Sequence, residues 1–507
     1  MKKALKLLFS QTAVVVLLLL LQLMTLVTTL WRLSQYSAYI NAALLLISML
    51  VVLRVVSSRT NPSFQLAWVI LILGLPVFGG LFYLFIYSQQ HSRRYLRQLE
   101  QRWRWLSLKL PQEAAAKELW ETQYPEDART LYYLDHLGFH PCDGTRARYL
   151  SPGEAWSQAM LQQLRQARQY IYLEFFILEE GQLWQDLLSI LRERAAAGVE
   201  VRLMYDGLGS VNLPRNFPRQ MESLGIHCKV FNPFRPFLTA VQNHRDHRKI
   251  CVIDGRIAYT GGANLSDEYI NLTHPYGHWK DAMIEVQGDS AAVLAAMFLS
   301  MWQLTESATA PVPEFLPEAA PAVTPNGLAL PFCDNPLSQH RVGETIYLHA
   351  IRSARTYLHI CTPYLILDHT MTQDLEMAAQ SGVDVRIVIP AVADHWYAYA
   401  VAKAFCARLL SAGVKIYTYT PGFIHSKTFV WDDEGAVVGS VNLDFRSLHT
   451  HFEAGVWLRG GDAVTQTEED FQAILRVSDP MRPEDCKPKG LLKRLLYGLL
   501  RLFAPLM

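Results

Sequence analysis

His247 and Lys249 stand two residues apart, and the same pair returns as His425 and Lys427. An aspartate closes each motif, Asp254 and Asp432, so both octapeptides read His-x-Lys-x4-Asp. Asn264 follows His247 at the distance at which Asn442 follows His425, and Gly261 and Gly439 match in the same way. On a strand, a two-residue period sends the histidine and the lysine to one face. A lysine beside a histidine puts fixed positive charge where a phosphoryl oxygen would sit. The asparagines would add amide donors for the same oxygens. Two such histidines meeting at one phosphorus can divide the work. One attacks and forms a phosphohistidine; the other protonates the leaving oxygen and then deprotonates the incoming hydroxyl. Two lysines and two asparagines would stabilise the anionic transition state without metal or cofactor. An acidic neighbour would hold an imidazole in the required tautomer. The candidates are Asp254, Asp432, Asp281 and Glu453, the last two following His278-Trp279-Lys280 and His451-Phe452 at comparable places.

A lone histidine usually reads as an ordinary, satisfied residue. Two in duplicated surroundings, each with lysine and aspartate at fixed offsets, do not. His244, His395, His449 and His451 have no such support and read as ordinary residues. Gly261-Gly262 and Gly439-Ser440 read as tight turns, since no G-x-G-x-x-G is present.

The elements that must position the motifs repeat as well. Tyr170 to Ile177 reads as a buried strand, Leu187 to Ala197 as an amphipathic helix stopped by Gly198, and Val199 to Tyr205 as the next strand. The series restarts with Tyr357 to Thr362, Gly382 and the strand Val383 to Ile389, and Ala412 to Tyr417 parallels Leu224-Gly225-Ile226. Each motif then runs into a strand, the first ending at the Asp254-Gly255 turn. Strands separated by helices imply an α/β fold. The simplest architecture is two similar halves, residues 126–306 and 328–485, facing each other about a pseudo-twofold so that both motifs reach one cleft. An Ala/Pro-rich linker, residues 307–327, joins them.

Charged residues make up 18% of the 507-residue chain, below the roughly 25% of soluble domains, so part of it is expected in lipid. Residues 1–90 read as a membrane anchor of two to three transmembrane helices: Leu7 to Trp31, Leu33 to Leu53 and Phe64 to Tyr87 carry no charge. Arg93, Arg94, Arg97, Arg102 and Arg104 place the main domain on the cytoplasmic side, although Lys2, Lys3 and Lys6 ask for the same side. Residues 91–125 read as a basic connector helix with Trp103, Trp105 and Trp120, either solvated or lying at headgroup level. The tail, residues 486–507, reads as a basic amphipathic helix. Leu491, Leu492, Leu495, Leu496, Leu499 and Phe503 share one face, suited to an anionic membrane surface. Formal net charge is +1, which argues against a nucleic-acid partner. The seven cysteines include no C-x-x-C and read as buried thiols, without disulfide or zinc spacing.

The two octapeptides, with Gly261-Gly262-Ala263-Asn264 and Gly439-Ser440-Val441-Asn442, resemble the phospholipase D superfamily. Asn243 to Ile250, Pro421 to Lys427, Asn442 to Ser447 and Thr362-Pro363-Tyr364 resemble, more closely, the bacterial cardiolipin synthases. The resemblance implies transfer of a phosphatidyl group from one phosphatidylglycerol to another, giving cardiolipin and glycerol, at a metal-independent, cytoplasm-facing site of a cell-membrane protein. It makes His247 and His425 nucleophile and acid/base, with His247 favoured as nucleophile. Lys249, Lys427, Asn264 and Asn442 would contact phosphate. Asp254 and Asp432 would be supporting members of the catalytic motifs, and Glu453 and Asp281 would orient the histidines. A hydrolase or a transferase using another alcohol shares these residues. A nuclease or a membrane scaffold fits the charge and the intact histidines less well. Oligomeric state is left open.

Overall fold

The computed structural model describes residues 20–25, 37–58, 60–88, 93–110, 114–233, 243–304, 323–486, 490–502 and 504–506. Its contacts define two compact units, one of Met1–Arg94, Phe234–His244 and Arg501–Met507, the other of Tyr95–Pro233 and Arg245–Leu500.

In the first unit, Asn61 caps the helix that follows it, its side chain accepting from Ser63 N at 2.9 Å with Pro62 in the first turn. The helices here are α1 (Ser37–Val56), α2 (Pro62–Gly74) and α3 (Pro76–Ser88). Proline disfavours a helical residue before it, and Leu75 leaves the helix at φ −134°, ψ 71°. The expected span from Phe64 to Tyr87 is therefore two 13-residue helices. Each is about 20 Å long against a hydrocarbon layer of about 30 Å. The second expected span, Leu33 to Leu53, overlaps α1 from Ser37 on, and the apolar run of that helix is bounded by Asn41 and Arg54. Among the described residues no helix is long and apolar enough to cross a membrane. Of the first expected span only residues 20–25 are described, and Lys2, Lys3 and Lys6 lie outside the described residues. Val51, Val55 and Ile72 make a small core, while Leu45, Leu46, Met49, Leu50 and Leu53 are all more than half exposed.

The basic stretch is not one helix but two, α4 (Arg93–Ser107) and Ala114–Gln123. Trp120 does not lie at a headgroup level. It is fully buried, edge-on to Trp457 at 5.1 Å, with its indole N–H donated to Asp127 at 2.7 Å.

The second unit is the duplicated α/β body. The first half has β1 (Thr145–Leu150), β2 (Tyr170–Phe175), β3 (Glu200–Asp206), β4 (Ile226–Phe231), β5 (Arg245–Asp246), β6 (Ile250–Ile253), β7 (Ile257–Gly261), β8 (His278–Lys280) and β9 (Met283–Gly288). The second has β10 (Leu328–Asp334), β11 (Tyr357–Cys361), β12 (Asp384–Pro390), β13 (Lys415–Tyr419), β14 (Gly422–Ile424), β15 (Thr428–Trp431), β16 (Gly435–Gly439), β17 (His451–Arg459) and β18 (Ser478–Pro480). The sheets run β1-β9-β7-β6-β2-β3-β4 and β10-β17-β16-β15-β11-β12-β13, the same order twice, with β18 added to the second. In each sheet the three strands β2-β3-β4 or β11-β12-β13 are parallel, and the hairpin bearing the motif runs against them.

Between β2 and β3 lies α5 (Gln182–Ala196), burying Leu183, Trp184, Leu187, Ile190 and Leu191. Truncating the fully buried Leu187 to alanine would cost about 3 kcal/mol. Gly198 ends this helix at φ +88°, and Gly382 ends its counterpart α6 (His369–Gln380) at φ +98°. Only glycine takes that conformation without strain. The expected linker lies outside the described residues as far as 322. Its end is pinned: the Asn326 amide accepts from Ala147 N at 2.8 Å and donates to Ala147 O at 2.9 Å. All seven cysteines are free thiols. A tail helix, α7 (Leu491–Leu502), leaves Leu491, Leu495 and Leu499 exposed at i, i+4 and i+8.

Candidate active site

Two short strands leave their own half. β5, just before His247, pairs in parallel with β17 of the second half, Phe452 opposite Asp246. β14, just before His425, pairs in parallel with β8 of the first half, Ile424 opposite Lys280. The backbone N–H of His247 donates to Phe452 O at 2.9 Å, and that of His425 to Lys280 O at 2.7 Å. Phe452 and Lys280 immediately precede Glu453 and Asp281. Each catalytic candidate is thereby set beside the acid of the opposite half.

The side chains follow. His247 Nδ1 lies 2.9 and 3.0 Å from the two Glu453 carboxylate oxygens. His425 Nδ1 lies 2.7 Å from Asp281 Oδ2. All four residues are buried. Use of Nδ1 by the carboxylate leaves Nε2 as the nitrogen available for chemistry. Burial holds both imidazoles below their ordinary value of 6.5. His247 falls to about 3 despite Glu453; His425 falls to about 4, with Lys427 adding to the effect. Burial alone would push the two carboxyls up. The imidazole partners outweigh it, aided at Asp281 by Lys427, and hold Glu453 and Asp281 below the ordinary range. Near neutral pH both dyads are thus neutral imidazole on carboxylate.

Lys249 and Lys427 point to the same interior. Each ammonium donates one hydrogen bond to the carbonyl of its own motif histidine, His247 or His425. Burial lowers Lys249 to about 8 and Lys427 to about 7. The asparagines differ. Asn264 is committed within its half, Oδ1 accepting from Ile177 N at 3.0 Å and Nδ2 donating to Tyr269 at 2.8 Å. Asn442 is buried with its side-chain oxygen Oδ1, an acceptor, unpaired.

Asp254 and Asp432 are not part of this constellation. They lie at the far ends of β6 and β15, about 16 Å of extended chain beyond the lysines. Asp254 accepts the backbone N–H groups of Arg168, Gln169 and Tyr170 at 2.9, 2.7 and 2.9 Å. Asp432 does the same for Arg355, Thr356 and Tyr357 at 2.7, 2.8 and 3.0 Å. They brace the entry to β2 and β11 and so support the motif through the backbone. Their own φ values, +52° and +56°, suit the short polar residue that tolerates a left-handed turn.

Sequence reasoning missed three neighbours. Ser440, read as a turn residue, donates its hydroxyl to Glu453. His451, read as ordinary, has its ring 5.4 Å from that of His247, and Trp279 stands 5.2 Å from His425. The signal for all three was their offset from the duplicated motif. Gly261 and Gly439 are required by close approach, since a Cβ there would meet Ala282 O at 2.4 Å or Ala454 O at 2.7 Å.

His247, His451 and Glu453 carry ligand atoms close enough to hold a metal ion. The carboxylate already faces His247 Nδ1 at hydrogen-bond distance, an arrangement that a charge-assisted dyad explains by itself. A cavity of about 670 Å³ lies on the other side of the catalytic strands, lined in part by Arg248, Phe452, Leu99, Trp103 and Phe139. Arg248 alternates with His247 and Lys249, as Phe452 does with His451 and Glu453, so this cavity faces away from the imidazoles.

Known proteins resemble this chain in sequence and in fold. The family model described as "Cardiolipin synthase, PLD-like domain" matches residues 160–302 and again 347–475, one match per half. "Phospholipase D-nuclease N-terminal" matches residues 43–86. An uncharacterised protein of Streptococcus mutans is 36% identical over 90% of this chain and 99% of its own length. A cardiolipin synthase of Halalkalibacterium halodurans is 30% identical, covering 94% of this chain and 95% of that one. The phosphatidylserine synthase of Haemophilus influenzae shares the fold with a TM-score of 0.55 at 14% identity, over 73% of this chain and 94% of that one. With a duplicated family match over more than half its length and a crossed pair of histidine–carboxylate dyads at its centre, the chain belongs to the cardiolipin synthase family of phospholipase D-like proteins.

Proposed function

We propose that this chain is a phosphatidyltransferase that joins two phosphatidylglycerol molecules into cardiolipin and free glycerol. The observation that carries the reading is the crossed pair of dyads, two neutral imidazoles each held through Nδ1 by the other half's acid. His247 Nε2 attacks phosphorus, and the N–P bond forms as the bond to the glycerol headgroup oxygen breaks. His425 gives its proton to that oxygen, and glycerol leaves. His425 then takes a proton from the headgroup hydroxyl of the second lipid. That oxygen attacks phosphorus, the N–P bond breaks, and His247 is restored. Lys249 and Lys427 neutralise the phosphoryl oxygens, with the Asn442 amide nitrogen as a further donor. At rest His425 lacks the proton this scheme requires, because burial favours its neutral form. The negative charge of the arriving phosphodiester raises its proton affinity, so substrate binding and proton uptake are coupled.

The apolar outer face of α1 and the exposed leucines of α7 support attachment to a membrane, α7 lying along an anionic surface. The arginines of the α4 region support a cytoplasmic site.

The test is a product assay with purified chain and phosphatidylglycerol in detergent micelles. Cardiolipin and glycerol should appear in equal amounts, and chelators should leave the rate unchanged. Phosphatidic acid as the main product would replace this reading with hydrolysis. Loss with EDTA that one metal restores would replace it with metal chemistry at His247, His451 and Glu453.

A further inference from the structure

Strand direction sets which side of the second unit surrounds the dyads. β2 ends next to the first motif, with Glu174 opposite Ile250, and β11 ends next to the second, with Cys361 opposite Thr428. β3 and β12 run parallel to them and end on the same edges. β7 runs against β6, with Thr260 opposite Ile250, and ends there too. The segments after β3, β7 and β12 therefore leave the sheets where the imidazoles lie, and the two edges meet at the crossed dyads.

These segments expose large apolar side chains. Val211 follows β3, Leu272 follows β7 and Trp396 follows β12, at 55%, 54% and 64% exposure. Val392 and Tyr397, on either side of His395 and Trp396, are exposed as well. Val477 joins them, its carbonyl accepting from Thr420, the residue after β13. The rim starts close to the chemistry. Val392 lines a small groove with Phe423, whose ring lies 6.1 Å from that of His425. Elsewhere between residues 126 and 486 the exposed large apolar side chains, among the described residues, are Tyr132 and Met377. Met377 sits near the end of α6, close to the turn into β12 and so at the opposite edge. Scattered exposed apolar residues are ordinary, but a set gathered around a site marks a contact surface. Arg215 and Arg446 are exposed on this side, and so is Glu180, so the surface is apolar and aromatic rather than of one charge.

We propose that this edge is the face of the catalytic body that docks on a phospholipid bilayer, with Val211 and Leu272 of one half and Val392 and Trp396 of the other entering the headgroup layer around the dyads. The inference rests on the reading that the substrates are phospholipids, and it goes beyond attachment through α1 and α7. Two lipids have to bring phosphodiesters to imidazoles that are each 7% exposed. Phosphodiesters stand in the headgroup layer. With the dyads' edge resting on that layer, the acyl chains stay in hydrocarbon while the phosphorus reaches the histidines. Tryptophan and tyrosine favour that level, and leucine and valine the boundary just beneath it. A second copy of the chain would cover the same side chains but would also close the approach of both lipids.

The experiment uses the full chain reconstituted in phosphatidylglycerol vesicles. Leu272→Cys and Met377→Cys each carry an environment-sensitive fluorophore, and the labelled parent subtracts the native thiols. Bromine on the acyl chains should quench the label at 272 and leave the label at 377 unchanged. Leu272→Ser combined with Trp396→Ser should lower turnover of vesicle phosphatidylglycerol about tenfold. The same variant should keep its rate on dihexanoyl phosphatidylglycerol, dissolved as monomers, within about twofold of the parent, because no surface has to be reached. An unquenched label at 272 would overturn the inference. So would equal losses on both substrates, which mark a catalytic or folding defect, or no loss on either. Dissociation of a dimer in the double variant would assign the edge to a second copy and overturn it as well. A parent that turns over no phospholipid would end the functional reading, and quenching at 272 would still decide which face meets the bilayer.

Discussion

The two halves repeat a strand order, a motif and a brace, yet they build their acids differently. Asp281 lies in a break between β8 and β9, and its carboxylate is held by neutral donors: Ala282 N at 2.8 Å and, more distantly, the Trp279 indole. Glu453 lies within the unbroken β17, one methylene longer, facing His247 with both oxygens and taking the Ser440 hydroxyl as well. Ser440 has its counterpart in Gly262, where a Cβ would sit 2.0 Å from Asp281 Oδ1. The shorter acid leaves no room for a side chain at that point, and the longer one uses the room for a hydroxyl. Duplication preserves what places the imidazoles. It does not preserve what surrounds them, and the proposed reaction needs the two imidazoles in different protonation states.

This comparison can be tested by breaking each side of it. The largest effect, short of removing an imidazole, is expected from Glu453→Gln and Asp281→Asn. Each replaces an acceptor-only carboxylate with an amide that can hold the wrong tautomer, and kcat should fall by about 10³- to 10⁴-fold. Near-normal turnover in either would mean that the crossed dyads are not catalytic. Ser440→Ala should cost far less, about tenfold, since Glu453 keeps His247; a loss as large as that of Glu453→Gln would make the hydroxyl the principal support.

Asp254→Ala and Asp432→Ala should lower stability by about 2–3 kcal/mol each, read from denaturant midpoints, because several backbone N–H groups lose their acceptor. The fraction that stays folded should keep its kcat. A folded, stable and inactive Asp254→Ala would restore that residue to the catalytic set.

Acid should weaken the fold in a defined window. Unfolded imidazoles take protons near 6.5, while buried His247 and His425 do so only near 3 and 4. The unfolded state therefore binds more protons between these values, and stability falls as pH drops from about 6.5 towards 4. A chain with both histidines replaced by asparagine should lose less stability across that window. The smallest effect is expected at the tail. Leu495→Ser with Leu499→Ser should weaken binding to anionic vesicles several-fold and leave turnover in micelles unchanged.

Much of this was legible in the chain itself. A spacing that recurs with its flanking strands forces the same local backbone twice, so the α/β halves and the His-x-Lys pairs could be placed without coordinates. The pairing of acids could not, because it depends on β5 lying against β17 and β14 against β8, contacts between segments more than a hundred residues apart. Asp254 and Asp432 were conspicuous for their repetition, but repetition marks a shared backbone need as readily as shared chemistry. Their neighbours, a turn and the start of a strand, carried the hint. His451 was passed over because a single histidine without a duplicate is usually ordinary, and here its partner position is a tryptophan. The apolar stretch from Phe64 to Tyr87 showed hydrophobicity but hid its length, which Pro76 cuts in two.

The central claim is that His247 and His425 act as one unit on one phosphorus. Its most direct test is the rate of cardiolipin formation from phosphatidylglycerol in four chains: the parent, His247→Ala, His425→Ala and the double variant. The account predicts that each single variant loses as much activity as the double one, since neither imidazole can complete the transfer alone. Partial losses in the single variants that multiply in the double would contradict it.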